Sequence, residues 1–121
     1  AFHTEPDHVK PIEGQIPYDL FIQRTDPSVV RHQLDFGNMA LGGADPMRYL
    51  ERYRDRYWSI HIKDVVADRS KDTELGVGVL DLKRLIAAIP NIDAKPCYVE
   101  QAGAADSLAS ARRNFEYLKR I

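Results

Sequence analysis

The sequence predicts an α/β fold of parallel strands joined by helical crossovers, running through about four consecutive βα units. Three observations predict it. Four short strand-like segments, residues 1–5, 31–36, 58–63 and 96–101, alternate with four helical ones. They recur about every 30 residues, the length of one βα unit. No linker or low-complexity stretch interrupts them, so residues 1–121 read as one domain, or part of one.

The helical segments carry their own start signals. Asp45 before Pro46 places a capping residue and a proline at the first helical position, and Met47, Tyr49, Leu50 and Tyr53 continue as an apolar stripe. Asp81 stands in the same relation to Leu82, Leu85, Ile86 and Ile89, and Pro90 ends that run. Ser107 precedes Leu108, Ala111, Phe115, Leu118 and Ile121. Residues 17–25, with Leu20, Phe21 and Ile22, read as a helix that stops at the Asp26-Pro27 turn. The third strand is followed by a long loop, residues 65–80, rich in charge and glycine. Loops at the carboxyl ends of parallel strands are where such folds place their chemistry. Gly76-Val77-Gly78 follows a loop rather than a strand, so it reads as a flexible approach to the Asp81 helix and not as a phosphate cradle.

Composition narrows the partners. The 17 Lys and Arg residues are interleaved with 18 Asp and Glu residues, giving a net charge of -1. That balance leaves no electrostatic footprint for nucleic acid or an anionic membrane. Arg24, Arg31, Arg48, Arg52 and Arg54 read as solvated helix faces. The single cysteine, Cys97, has no partner for an internal disulfide, and its neighbours Tyr98 and Val99 suggest an inert thiol packed in a buried strand, in keeping with a reducing compartment. No apolar run approaches the roughly 20 residues of a spanning helix, and a cytoplasmic location is expected. The chain opens on Ala1, and Phe2 and His3 already look like strand interior, which suggests a processed or truncated chain.

Side chains alternate across a strand, so parity decides which residues share a face. Gln33 and Asp35 oppose Leu34 and Phe36; Ser59, His61 and Lys63 oppose Ile60 and Ile62; Tyr98 and Glu100 oppose Cys97 and Val99. The apolar sets would meet the helices, and the polar sets would point into a barrel. Asp35, His61 and Glu100 therefore converge, each near the carboxyl end of its strand. In the first segment His3 and Glu5 take the inward parity, and either offers a fourth ligand or an acid/base group. Carboxylate oxygens with an imidazole nitrogen suit a divalent ion such as Mn²⁺, Mg²⁺, Co²⁺ or Zn²⁺. Read singly, an Asp before Gly37-Asn38 is as well explained as a turn or cap residue, a strand His as a hydrogen-bonded core group, and a Glu as a rim charge.

The motifs Leu34-Asp35-Phe36-Gly37-Asn38, Gly42-Gly43-Ala44-Asp45-Pro46, His61-Ile62-Lys63-Asp64, Gly76-Val77-Gly78-Val79-Leu80-Asp81 and Val99-Glu100-Gln101 occur in that order. In content and spacing the chain resembles the xylose-isomerase-like sugar phosphate isomerase/epimerase family. The resemblance implies a (β/α)8 TIM-barrel fold of which this chain supplies strands five to eight, the C-terminal half barrel. It also implies metal ligands at Asp35, His61 and Glu100, with a fourth from the first strand, where His3 and Glu5 depart from the histidine pair of many relatives.

For function, the resemblance implies a metal-dependent sugar or sugar phosphate isomerase/epimerase, moving a proton through an enediolate. Glu100 and Glu5 would carry the proton, while Lys63 and Asn38 would contact a small sugar substrate. A keto-inositol dehydratase-type lyase is the alternative on the same fold and ligand set. A phosphodiester hydrolase would need more ligands than His3, His8, His32, His61 and the acids readily supply. A reading of another class is an inactive half barrel that assembles through its two open sheet edges, as a homo-oligomer or with the missing N-terminal half.

Overall fold

A computed structural model describes all of Ala1–Ile121. Four parallel strands form its main sheet, in the order β1 (Phe2–His3), β2 (His32–Asp35), β3 (Tyr57–Ile62) and β6 (Cys97–Val99). A small antiparallel hairpin, β4 (Asp64–Val65) and β5 (Asp72–Thr73), lies in the long loop after β3. The helices are α1 (Pro17–Arg24), α2 (Phe36–Leu41), α3 (Pro46–Tyr53), α4 (Leu82–Ala87) and α5 (Ser107–Leu118). The order of strands is the order of the chain, and every crossover returns parallel, as consecutive βα units require.

The core lies between one face of the sheet and the helices. Leu34, Ile60 and Ile62 from β2 and β3 meet Ile22 of α1, Leu50 of α3 and Leu82 and Leu85 of α4, all buried in one apolar cluster. Burying side chains of this size contributes roughly 1.5–3 kcal/mol each. The helix starts obey the expected chemistry: Asp45 Oδ1 accepts the Met47 N–H at 2.9 Å, and Asp81 Oδ1 accepts the Arg84 N–H at 3.0 Å. For α5 the cap is Asp106 rather than Ser107, because the Asp106 carboxylate accepts the Ala109 N–H at 2.9 Å and Ser107 is the first helical residue.

Three further features depart from the pattern of the sequence. Phe36 leaves the strand and starts α2, a helix not anticipated, because Asp35 caps it by accepting the Asn38 N–H. Cys97 is exposed, not packed. The apolar stripe of α5 is also open, with Leu108 66% and Phe115 61% exposed, while Ser110 and Asn114 are its buried face. Cys97 belongs to β6, a free edge of the sheet, and α5 is the helix that follows it. In a closed barrel a further βα unit covers this side.

At the opposite end from the strand tips, His32 is wholly buried. Its ring meets Tyr18 and Phe21 edge-on, with 5.5 Å between centroids in each case. Arg56 holds the adjacent chain turns by donating to the carbonyls of Ile22, Thr25 and Val30, and it lies 3.4 Å from His32 Nε2. Burial first, and the Arg56 charge second, push the imidazole down from 6.5 to about 4. In the unfolded chain the ring takes a proton near 6.5, so between 6.5 and 4 the unfolded state binds more protons than the native one. Stability is therefore complete above that window and falls as pH falls through it, by about 3 kcal/mol in all. Denaturant unfolding at pH 7, 5.5 and 4.5 should show this slope, and His32→Phe should flatten it; an unchanged slope in the variant would remove His32 as its cause.

Candidate metal centre

The strand register brings the polar parity set together. Asp35 lies beside His61, and His61 beside Tyr98, while below them Gln33 pairs with Ser59 through a 2.8 Å hydrogen bond. His3 of β1 and Glu100, just past β6, flank this row. One ligand atom each from His3, Asp35, His61 and Glu100 can be chosen so that all lie within 4.8 Å of one another.

Asp35 divides its two oxygens. Oδ1 accepts the Asn38 N–H at 2.7 Å and caps α2. Oδ2 faces the cluster, 3.3 Å from His3 Nε2, 3.6 Å from His61 Nδ1 and 3.3 Å from Lys63 Nζ. Its side chain is fully buried, so those neighbours take the place of solvent around Oδ2. Glu100 splits its contacts differently, with Oε2 at 2.6 Å from His61 Nδ1 and Oε1 at 3.0 Å from Lys63 Nζ. Burial would raise the Glu100 carboxyl, but the hydrogen bonds and charges of Lys63 and His61 outweigh it and hold the group below its usual range. For Lys63 burial acts to lower the ammonium, and the carboxylates of Asp35 and Glu100 more than reverse it.

Around this group lies an orienting layer. His3 turns Nδ1 to Glu5 Oε1 at 3.1 Å while Nε2 faces Asp35. A carboxylate behind an imidazole fixes the ring and its tautomer, the arrangement found behind metal-binding histidines. Asn38 donates to the Thr4 carbonyl at 3.0 Å and to Glu5 Oε2 at 3.2 Å, and accepts from Lys63 at 3.0 Å. The structure thus brings His3, Asp35, His61 and Glu100 together, buries Lys63 against Asp35 and Glu100 with Asn38 behind it, and leaves Glu5 outside the four, with its side chain 54% exposed.

Three further residues shape the site, and two of them, Gly37 and Asp64, stand within the motifs quoted above. Gly37 leaves room for Lys63, since a Cβ there would overlap the lysine stem. Thr4, outward-facing by parity, is buried and its hydroxyl accepts the Asp35 N–H at 3.1 Å. Asp64, adjacent to Lys63, gathers the loop after β3, accepting the N–H groups of Val65, Gly76, Gly78 and Leu80. The Gly76-Val77-Gly78 run is the available signal, because glycine lets a backbone approach a carboxylate closely.

Solved structures share this fold. A sugar phosphate isomerase/epimerase from Parabacteroides distasonis superposes with a TM-score of 0.81 over 98% of this chain, at 23% identity, and this chain covers 44% of that one. The fold is that of half a (β/α)8 TIM barrel. A second sugar phosphate isomerase/epimerase from the same organism superposes on this half barrel at 0.79, with 43% of its length covered. Among curated proteins, an inosose dehydratase of Bacillus cereus is 29% identical over 116 residues, covering 82% of the half barrel and 38% of the dehydratase. Another inosose dehydratase, from Geobacillus kaustophilus, is 42% identical over 57 residues, covering 47% of the half barrel and 18% of the dehydratase. The half barrel thus spans less than half the length of the proteins it matches. No protein-family model matches it. None of its helices is long and apolar enough to cross a membrane.

Proposed function

We propose that His3, Asp35, His61 and Glu100 hold one divalent metal ion, and that the protein built on this half barrel moves a proton at the carbon beside the carbonyl of a sugar or keto-inositol. The observation that carries the proposal is the convergence of four donors from four adjacent strand ends within 4.8 Å. Two imidazoles and two carboxylates suit Mn²⁺, Co²⁺ or Zn²⁺ better than Mg²⁺, which favours an all-oxygen shell. Bound there, such an ion supplies Lewis acidity toward a substrate carbonyl.

The chain's own residues then divide the work. Glu100, held ionised by Lys63 and His61, takes the proton from the carbon next to the carbonyl, and the C–H electron pair moves toward the carbonyl oxygen as an enediolate. Lys63 and Asn38 contact substrate oxygens and hold the reacting carbon near Glu100. Glu5, half exposed and linked to the site through His3 and Asn38, is the second proton carrier. Return of the proton to the same carbon from the other face gives an epimer, and to the neighbouring carbon an isomer. Loss of a β-hydroxyl with a proton, as water, gives the dehydrated product.

The identities to inosose dehydratases favour the last outcome. All three outcomes require removal of the same kind of proton, so Glu100→Gln is expected to slow exchange of the substrate α-proton with deuterated solvent by at least about tenfold. Undiminished exchange in that variant would sink the assignment. Running the assay on ketose, ketose phosphate and keto-inositol panels separates the reactions, since only the lyase releases water. The exposed Val99, Leu108 and Phe115 beside β6 support closure of the barrel by four further strands, from an N-terminal half or a second copy. The mass in solution distinguishes these, and a stable monomer of one half barrel opposes both.

A further inference from the structure

Lys63 places a positive charge where a metal ion would also stand. Its ammonium has three partners: Asn38 Oδ1 at 3.0 Å, Glu100 Oε1 at 3.0 Å and Asp35 Oδ2 at 3.3 Å. The contacts to Asn38 and Glu100 are hydrogen bonds and the one to Asp35 is an ion pair, so two of the ammonium's three N–H donors are committed and the third lies toward Asp35 Oδ2. The side chain is 5% exposed, and its stem passes against Gly37, where any side chain would overlap it. Asn38, which holds one donor, is anchored in turn on the Thr4 carbonyl. Backbone and amide therefore fix the ammonium in place independently of the two carboxylates.

Of the carboxylate oxygens, only Asp35 Oδ2 is contested. Asp35 Oδ1 is occupied in capping α2, so Oδ2 is the oxygen that must serve His3, His61, Lys63 and any metal ion. Glu100 has no such conflict, since Oε1 meets Lys63 while Oε2 faces His61. A divalent ion held by the four ligands would displace Lys63 from its ion pair with Asp35 and leave its two hydrogen bonds.

We infer that Lys63 is a resident cation: it offsets one of the two carboxylate charges of the His3–Asp35–His61–Glu100 group before metal arrives, and metal loading releases it from its ion pair with Asp35 so that its third N–H turns to a substrate oxygen. This rests on the reading of the four-residue group as a metal site. The ligand group keeps its shape without metal, because Asp35 and Glu100 never face each other uncompensated. Metal also enters against a fixed positive charge at about 3 Å from two of its ligand residues, so affinity is lower than the four ligands alone would give. Binding is ordered, metal before substrate, because the ion pair with Asp35 keeps the ammonium turned to the ligand group until then.

The test is calorimetric titration of the full chain with Mn²⁺ and with Zn²⁺, in the wild type and in Lys63→Met, Lys63→Gln and Lys63→Arg. Lys63→Met and Lys63→Gln are expected to bind at least about tenfold tighter than wild type, and Lys63→Arg to stay within about threefold of it. Saturating Mn²⁺ should also raise the melting temperature of Lys63→Met by more than that of wild type, since metal replaces a charge the variant lacks. If Lys63→Met folds only with metal, as circular dichroism would report, that too supports the inference. Equal or weaker binding by both neutral variants, when the wild type binds, overturns the resident-cation role and leaves the metal site standing. Neutral variants that stay unfolded at saturating Mn²⁺ overturn it as well, because the ion then cannot stand in for the ammonium. Absence of binding by the wild type removes the metal reading, and this inference with it.

Discussion

Asp64→Ala is expected to lower the stability of the protein by about 4 kcal/mol, the range of the most damaging single substitutions. The Asp64 carboxylate is fully buried and no lysine or arginine pairs with it; four backbone N–H groups satisfy it instead. Val65 and Leu80 donate to Oδ1 at 2.9 and 3.1 Å, and Gly76 and Gly78 to Oδ2 at 3.0 and 3.1 Å. Hydrogen bonds to a charged acceptor contribute roughly 1.5–3 kcal/mol each, and truncation leaves the donors without partners. The side chain also sets the path from β3 to α4. It closes the loop that carries β4 and β5, and that loop is tied to α5 through the bond from Leu75 N–H to Asn114 Oδ1. Gly78 lies so close to Asp64 that any side chain there would collide with the carboxylate. A thermal melt should fall by on the order of 15 °C. Asp64→Asn, which keeps one acceptor oxygen, should lose less. A loss below about 1 kcal/mol in Asp64→Ala would mean that the loop is held by its other contacts.

Parity within single strands is enough to bring Asp35, His61 and Glu100 to one face, because alternation across a pleat needs no knowledge of distant residues. The choice between His3 and Glu5 is not legible by the same rule, since residues two apart share a face. The backbone after β1 decides it: the chain turns at Pro6 into a 3-10 turn over Pro6–Val9, and Glu5 swings to the back of His3 and to Asn38. The helix α2 is hidden in the sequence because it succeeds β2 without a linker and is buried at Phe36, Gly37, Asn38, Met39 and Ala40, so no amphipathic stripe marks it. Asp35 suits a cap or a ligand equally well by its position; its two oxygens allow both. The exposure of Cys97 and Phe115 has no local signature at all. A strand and helix at the edge of a half barrel carry the pattern of the interior elements they would be in a closed one.

The division of labour within Asp35 makes Asp35→Asn the sharpest test of the cluster. Asparagine caps helices about as well as aspartate, so its side-chain oxygen can still accept the Asn38 N–H, and α2 should persist. The loss is the negative charge at Oδ2, the atom that His3, His61 and Lys63 all face. Affinity for Mn²⁺ or Zn²⁺ is therefore expected to fall about 100-fold or more, because a charged ligand is replaced by a neutral one whose NH₂ points donors at the ion. Asp35→Ala should show the same loss of binding and, in addition, a fall in stability of about 1 kcal/mol from the missing cap. The two variants thus separate the roles: calorimetric titration reads the charge, and the melting temperature reads the cap. Retention of wild-type affinity by Asp35→Asn would place any metal elsewhere and reduce the cluster to an ion-pair network that orders the strand ends.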